Sequence, residues 1–156
     1  MEMEHQTKSK QHYLRFASMI ALSFIAMYVF MYAMVNVFAN VIPNTNQFYM
    51  AGLMTAPMMI FELLLMGMMY PNKKLNVAII AFSLVALVFF WMGIRQQIGI
   101  GDEQFLKSMI PHHAGAILMC EQAKITDPEI QQLCGSIISS QQEEIDQMQR
   151  ILERIN

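Results

Sequence analysis

The residues of this chain best suited to chemistry lie in one short segment, Met109-Ile110-Pro111-His112-His113. Met119 follows it, and Met148 stands nearer the C-terminus. Imidazole nitrogen and thioether sulfur suit copper, whereas Mg²⁺ and Ca²⁺ call for oxygen ligands. Met109 and His113 are four residues apart, so a helix points both to one side, one turn apart. His112 sits on the adjacent flank, within reach of Met119 for a second small cluster. Pro111 removes the hydrogen bond to the carbonyl of Lys107 and predicts a helix kink at the histidines. The same residues also admit a purely structural reading, in which His113 is a core histidine satisfied by Gln141 and the methionines are packing. Cys120 and Cys134 likewise carry two readings, a disulfide or a thiolate pair for Cu(I).

These side chains need elements to position them. From Asp102 the pattern is that of an amphipathic helix, with Phe105, Met109, His112, His113, Ala116 and Cys120 on one broad face. Asp102 is the expected N-cap after Gly99-Ile100-Gly101, and the helix is expected to stop near Lys124. Asp127 caps a second helix with Pro128 at its first position. Its inward positions are Cys134, Ile137, Gln141, Ile145, Met148 and Leu152, with Ile130 and Ile155 at the ends. A turn near Asp127 sets Cys120 opposite Cys134 and His113 opposite Gln141, with Met148 one turn from Met109. Two helices cannot enclose a core, so the αα-hairpin is expected to pair with a second copy as a homodimeric four-helix bundle.

The remainder reads as membrane. The chain is 55% hydrophobic and 14% charged, and its apolar residues concentrate in the first two thirds. Leu14 to Phe38, Phe48 to Tyr70 and Leu75 to Ile94 are each long enough to cross a bilayer. The first is too long for the apolar part of a cleaved signal peptide and is expected to be retained. Lys8, Lys10 and Arg15 cluster around its start, and Lys73 and Lys74 lie between the second and third spans. The N-terminus and that loop should therefore face the cytoplasm, with the hairpin outside, against a mild dissent from Arg95. The expected organisation is a tail at 1–13, a three-helix membrane region at 14–98 and an extracytoplasmic hairpin at 99–156. A net charge of -2 provides no basic stripe for nucleic acid. No nucleophile–base pair, phosphate loop or paired carboxylates point to an enzyme.

Methionine is over-represented, with 17 residues. Met50, Met54 and Met58 step along the second span at intervals of four, and either fill helix packing or relay Cu(I). The second possibility resembles the Met-x3-Met step of eukaryotic copper transporters. Glu62, placed within a span, is a functional candidate. It is expected to bond Tyr28, Tyr32 or Asn36 on the first span, or to attract a cation.

The stretch Asp102-x2-Phe105-x3-Met109-Ile110-Pro111-His112-His113-x2-Ala116-Ile117-x-Met119 resembles the signature of a bacterial family, domain of unknown function 305. Ile137, Gln141, Glu144-Ile145 and Met148 continue the likeness, which spans Asp102 to Leu152. The resemblance implies a ferritin-like helical architecture akin to periplasmic copper-binding proteins of the CopM type. It also implies extracytoplasmic copper binding by Met109, His112, His113, Met119 and Met148, with Gln141 and Glu144 in support. Soluble members with two hairpins close a bundle alone, whereas this chain has one, and its membrane spans lie outside the family pattern. The reading that follows is an all-α, membrane-anchored protein of the bacterial inner membrane, with lipid, a copper ion (Cu(I) before Cu(II)) and a second copy as partners. Its function would be copper capture or buffering. The alternatives are a copper transporter or transporter accessory, and a membrane-tethered dimerisation module without metal.

Overall fold

The computed structural model describes residues 2–155, with side chains from Lys10 onward, and is all-helical there. Helix α1 (Glu2–Phe30) runs into a 3₁₀ turn at Met31–Met34, and a second such turn follows at Phe38–Asn40. Helices α2 (Thr45–Leu65), α3 (Lys73–Gln96), α4 (Asp102–Gln122) and α5 (Pro128–Ile155) complete the chain. Three stretches are long and apolar enough to cross a membrane, Lys10–Met34, Thr45–Leu65 and Lys73–Gln96. The second α-helix therefore ends before Tyr70, and the first gives way to 3₁₀ geometry before Phe38.

The chain divides into two compact units. One holds α1 with Phe48–Ile98, and the other holds Met31–Gln47 with the chain from Gly99 on.

In the first unit α2 turns Tyr49, Gly52, Thr55, Ala56 and Leu63 inward, while Met50 and Met54 are exposed. Small residues let neighbouring helices approach, and the Phe90 ring occupies the space that a side chain at Gly52 would need. Hydroxyls inside the apolar helices bond their own backbone: Thr55 to the Ala51 carbonyl and Ser83 to that of Ile79, each at 2.7 Å. Leu22, Val29, Phe82, Val85 and Trp91 face outward, as hydrocarbon solvent allows.

Glu62 departs from expectation. It lies in the last turn of α2 rather than at midspan, and its carboxylate accepts a hydrogen bond from Tyr70 at 2.8 Å. Tyr32 instead donates to the Ile42 carbonyl, and Asn36 accepts from Asn40. Tyr70 packs on Tyr13 and Phe16, and Asn76 accepts from Tyr13 and donates to the Tyr70 carbonyl. A carboxylate at a helix end, among hydroxyl and amide groups, costs far less than one held at midspan.

The second unit is the hairpin with an addition. Leu106, Ile110, Ala114 and Ile117 of α4 close on Ile145 and Met148 of α5. Val35 and Ile42, from the segment between the first two spans, pack against the same cluster. Part of the cover assigned above to a second copy thus comes from the same chain. This strap is fixed by polar contacts as well. Thr45 donates from its backbone N–H and its hydroxyl to the Gln104 side chain, Asn46 donates to Ser108, and Gln149 donates to buried Asn40. Strap and hairpin share one unit, so they lie on one side of any membrane that α2 and α3 both cross.

Two local expectations shift. Gly101, not Asp102, is the N-cap of α4, and Asp102 and Glu103 occupy the first turn, where their charge suits the helix dipole. The buried face of α4 is rotated by one residue from the expected one. The aliphatic series Leu106, Ile110, Ala114 and Ile117 points inward, leaving Phe105 half-exposed. Helix α4 continues unbroken through Pro111. Asp127 caps α5 as expected, accepting from the backbone N–H groups of Glu129 and Ile130.

Cys120 and Cys134 form a disulfide across the turn, with Cα atoms 5.3 Å apart and a sequence separation of 14. Closing a loop of that size constrains the unfolded chain by about 3 kcal/mol. Replacing both cysteines by serine should therefore lower α4 and α5 amide protection in hydrogen exchange by roughly two orders of magnitude. Alkylation with mass spectrometry should find no free thiol in the native protein, and a reductant should reproduce the serine variant.

Candidate metal centre in the terminal hairpin

Helix α4 presents His113 to α5 as a buried ring with both nitrogens engaged. Nδ1 lies 2.9 Å from the Met109 carbonyl oxygen, one turn back on the same helix. That carbonyl only accepts, so Nδ1 carries a proton and donates it. Nε2 lies 2.6 Å from Glu144 Oε2 on α5. The carboxylate is half-exposed while the imidazole is covered, so the pair spans the boundary between hairpin interior and solvent.

The partner of His113 is therefore Glu144 rather than Gln141, which stands one turn earlier on α5. The cause is geometric. Every Cα–Cβ bond in an α-helix tilts toward that helix's N-terminus. In an antiparallel pair the two tilts run in opposite directions, so long side chains meet partners further along than the backbone register indicates. Cysteine is too short to show the effect, and Cys120 and Cys134 join where the register places them.

The same offset applies one turn away. Met109 precedes His113 by four residues, and Met148 follows Glu144 by four. The register that sets His113 against Glu144 therefore sets Met109 against Met148. Met148 is buried in the hairpin core, and Met109 packs against that core partly buried. Two neighbouring rungs thus offer an imidazole nitrogen, a carboxylate oxygen and two thioether sulfurs on one face.

The other expected ligands lie elsewhere. His112 is exposed, its ring centre 6.2 Å from that of His113, and Met119 is 53% exposed. The five candidates thus separate into Met109, His113 and Met148 inside, and His112 and Met119 outside. Cys120 and Cys134 are consumed by the disulfide and supply no thiolate. Met54 is exposed on the first unit, and Met58 and Glu62 are partly buried there. Among the described residues no three His, Cys, Asp or Glu side chains converge, so a metal centre here must recruit methionine.

The donor set fits a soft ion. An imidazole whose Nδ1–H is held by a backbone carbonyl has its tautomer and ring orientation fixed, leaving Nε2 as the donor, the usual outer support of a metal-bound histidine. Two thioethers favour Cu(I) over oxygen-seeking cations. Glu144, being half-exposed, can swing aside from Nε2 or add an oxygen ligand. The Nε2–Oε2 bond is the contact a metal ion would replace, and the sequence signalled it only through Glu144 near Gln141.

If Glu144 is the partner, Glu144→Ala should destabilise the hairpin by about 1 kcal/mol, modest because the carboxylate meets solvent. Gln141→Ala should stay within about 0.5 kcal/mol. Urea titrations followed by α4 and α5 amide signals compare the two. Nitrogen-15 spectra of the ring should show Nδ1 protonated, with a further proton shared between Nε2 and the Glu144 carboxylate.

Comparisons with known proteins coincide with this hairpin and extend beyond it. Residues 96–152 match the family described as Domain of unknown function (DUF305). Over 143 residues the chain is 38% identical to "Uncharacterized protein L153" of Acanthamoeba polyphaga mimivirus, an alignment covering 87% of this chain and 92% of the relative. That length takes in helices apolar enough to cross a membrane as well as the hairpin. No solved structure matches the chain.

Proposed function

Because the chain belongs to one family with the mimivirus protein L153 and carries a DUF305 domain, we propose that it is a membrane-anchored copper-capture protein. The observation that carries the reading is the orientation of His113. Its Nδ1–H is committed to the Met109 carbonyl, and its Nε2 is directed at a movable carboxylate beside a pair of methionines.

Copper is the cargo here. Met109, His113 and Met148 would hold Cu(I), with Glu144 closing the site from the solvent side. Glu144 keeps the buried Nε2 satisfied through a shared proton, and an ion binding at Nε2 would displace that proton to the half-exposed carboxylate and on to solvent. The distribution of Lys and Arg favours placing hairpin and strap outside the cytoplasm, where a capture site meets incoming metal and a disulfide persists. The spans then serve to hold the site at the membrane surface.

Anaerobic titration of the detergent-solubilised protein with Cu(I) against a chromophoric chelator tests this reading. His113→Ala should weaken the tightest site at least a hundredfold. Met109→Leu and Met148→Leu should each weaken it about tenfold, the equivalent of roughly 1.4 kcal/mol per thioether. Gln141→Ala should leave it unchanged. Absence of binding, or binding indifferent to His113, overturns the proposal.

A further inference from the structure

Helix α5 carries more apolar residues than the hairpin core uses. It buries Ile145 and Met148, while Ile130, Leu133 and Ile155 are 47%, 57% and 41% exposed. Ile137 and Ile151 are partly buried. On a turn of 3.6 residues, Ile130, Leu133, Ile137, Glu144, Ile151 and Ile155 form one stripe along a helix about 42 Å long. Gln149, which ties α5 to the strap, projects about 160° away from Leu133 and Ile151. The strap therefore covers one side of the hairpin and leaves this stripe bare.

The stripe is complementary to itself. Its aliphatic residues lie toward the two ends, and polar Ser140 and Glu144 stand between them. Reversed and laid on its own copy, it sets Leu133 against Ile151, Ile130 against Ile155, and the Ser140 hydroxyl, a donor, against the Glu144 carboxylate. The charges follow the same rule. Along one flank, Glu129 and Glu143 stand in the first half of the helix, and Arg150 and Arg154 in the second. An antiparallel pair brings Glu129 beside Arg154 of the other copy and opposes the helix dipoles, whereas a parallel pair sets acid on acid and base on base. A bilayer surface is a poorer partner. Helix α5 carries five acidic residues against two arginines, so anionic lipid would repel it.

We infer that α5 is the contact of a homodimer, packed antiparallel on α5 of a second copy about a two-fold axis near position 142. Such a contact is isologous: the Leu133 end of each copy meets the Ile151 end of the other. The chain then covers the hairpin with its own strap on one side and with its copy on the other. Glu144 stands two residues from the axis. There Ser140 of the second copy supplies a donor to the carboxylate that already bonds His113. The dimer rests on the pattern of α5 and its exposure, not on the copper reading.

The test uses the full chain in detergent, with its two native cysteines left in their disulfide. Light scattering corrected for bound detergent should give the mass of two copies at micromolar concentration. Leu133→Asp places a charge at an exposed position, so the hairpin still folds. It should shift the mass to one copy and leave the helical circular dichroism unchanged. Glu129→Arg should weaken the dimer roughly tenfold, because the two-fold axis makes each pair occur twice, and adding Arg154→Glu should restore it. Mild oxidation should cross-link Ser140→Cys, close to the axis. It should not cross-link Glu129→Cys, about 39 Å from its counterpart in an antiparallel pair. A single copy, a mass indifferent to Leu133→Asp, or cross-linking of Glu129→Cys overturns the inference. Quenching of a fluorophore on Leu133→Cys by brominated lipid in vesicles also overturns it and assigns the stripe to the bilayer.

Discussion

The antiparallel register of α4 against α5 is the constraint on which the rest of the terminal unit depends. The disulfide between Cys120 and Cys134 fixes it near the turn, where two short side chains leave little freedom to slide. Away from the turn, opposed tilts of the Cα–Cβ bonds decide which long side chains meet. His113 is thereby carried to Glu144 and Met109 toward Met148. Slipping the register by a single turn would return His113 to Gln141 and exchange a carboxylate for an amide. The chemistry of the hairpin is in this sense a consequence of its alignment.

A second constraint is that two amphipathic helices leave apolar surface uncovered. The chain meets it by turning Val35 and Ile42, from the connection between its first two spans, onto the hairpin core. The connection between the first two spans is thus part of the folded unit. Its amides explain how it is held: Asn36, Asn40 and Gln149 form a small network at the strap, and Gln104 satisfies donors at Thr45.

The first unit and the terminal unit use methionine differently. On α2, one of the helices apolar enough to cross a membrane, Met50 and Met54 are exposed, a role that leucine would fill as well. In the hairpin, Met148 is part of the core and Met109 packs against it, on the helices that carry the His113–Glu144 pair. Glu62 follows the same logic of surroundings. Joined to Tyr70 at a helix end, it belongs to a polar cluster that ties the end of α2 to α1 and the start of α3.

Several features followed from the residues alone. Long uncharged runs can only become apolar helices, and Asp127-Pro128 starts a helix because a capping carboxylate and a proline without an N–H suit its first turn. The same sequence brought Cys120 and Cys134 together, because side chains of only two heavy atoms follow the backbone register. Other features depended on distant parts of the chain meeting. The inward face of α4 was rotated by one residue toward the aliphatic Leu106, Ile110 and Ile117, which leaves Phe105 half-exposed while His113 stays buried. The partner of His113 changed because side-chain tilt is invisible to a count along the sequence. The strap was unreadable because Val35 and Ile42 are too few and too scattered to show a period, and acquire meaning only against α4. Sequence by itself determined the helices and the donors available to a metal ion. Tertiary structure decided which donors stand together, since that depends on the direction in which side chains leave their helices.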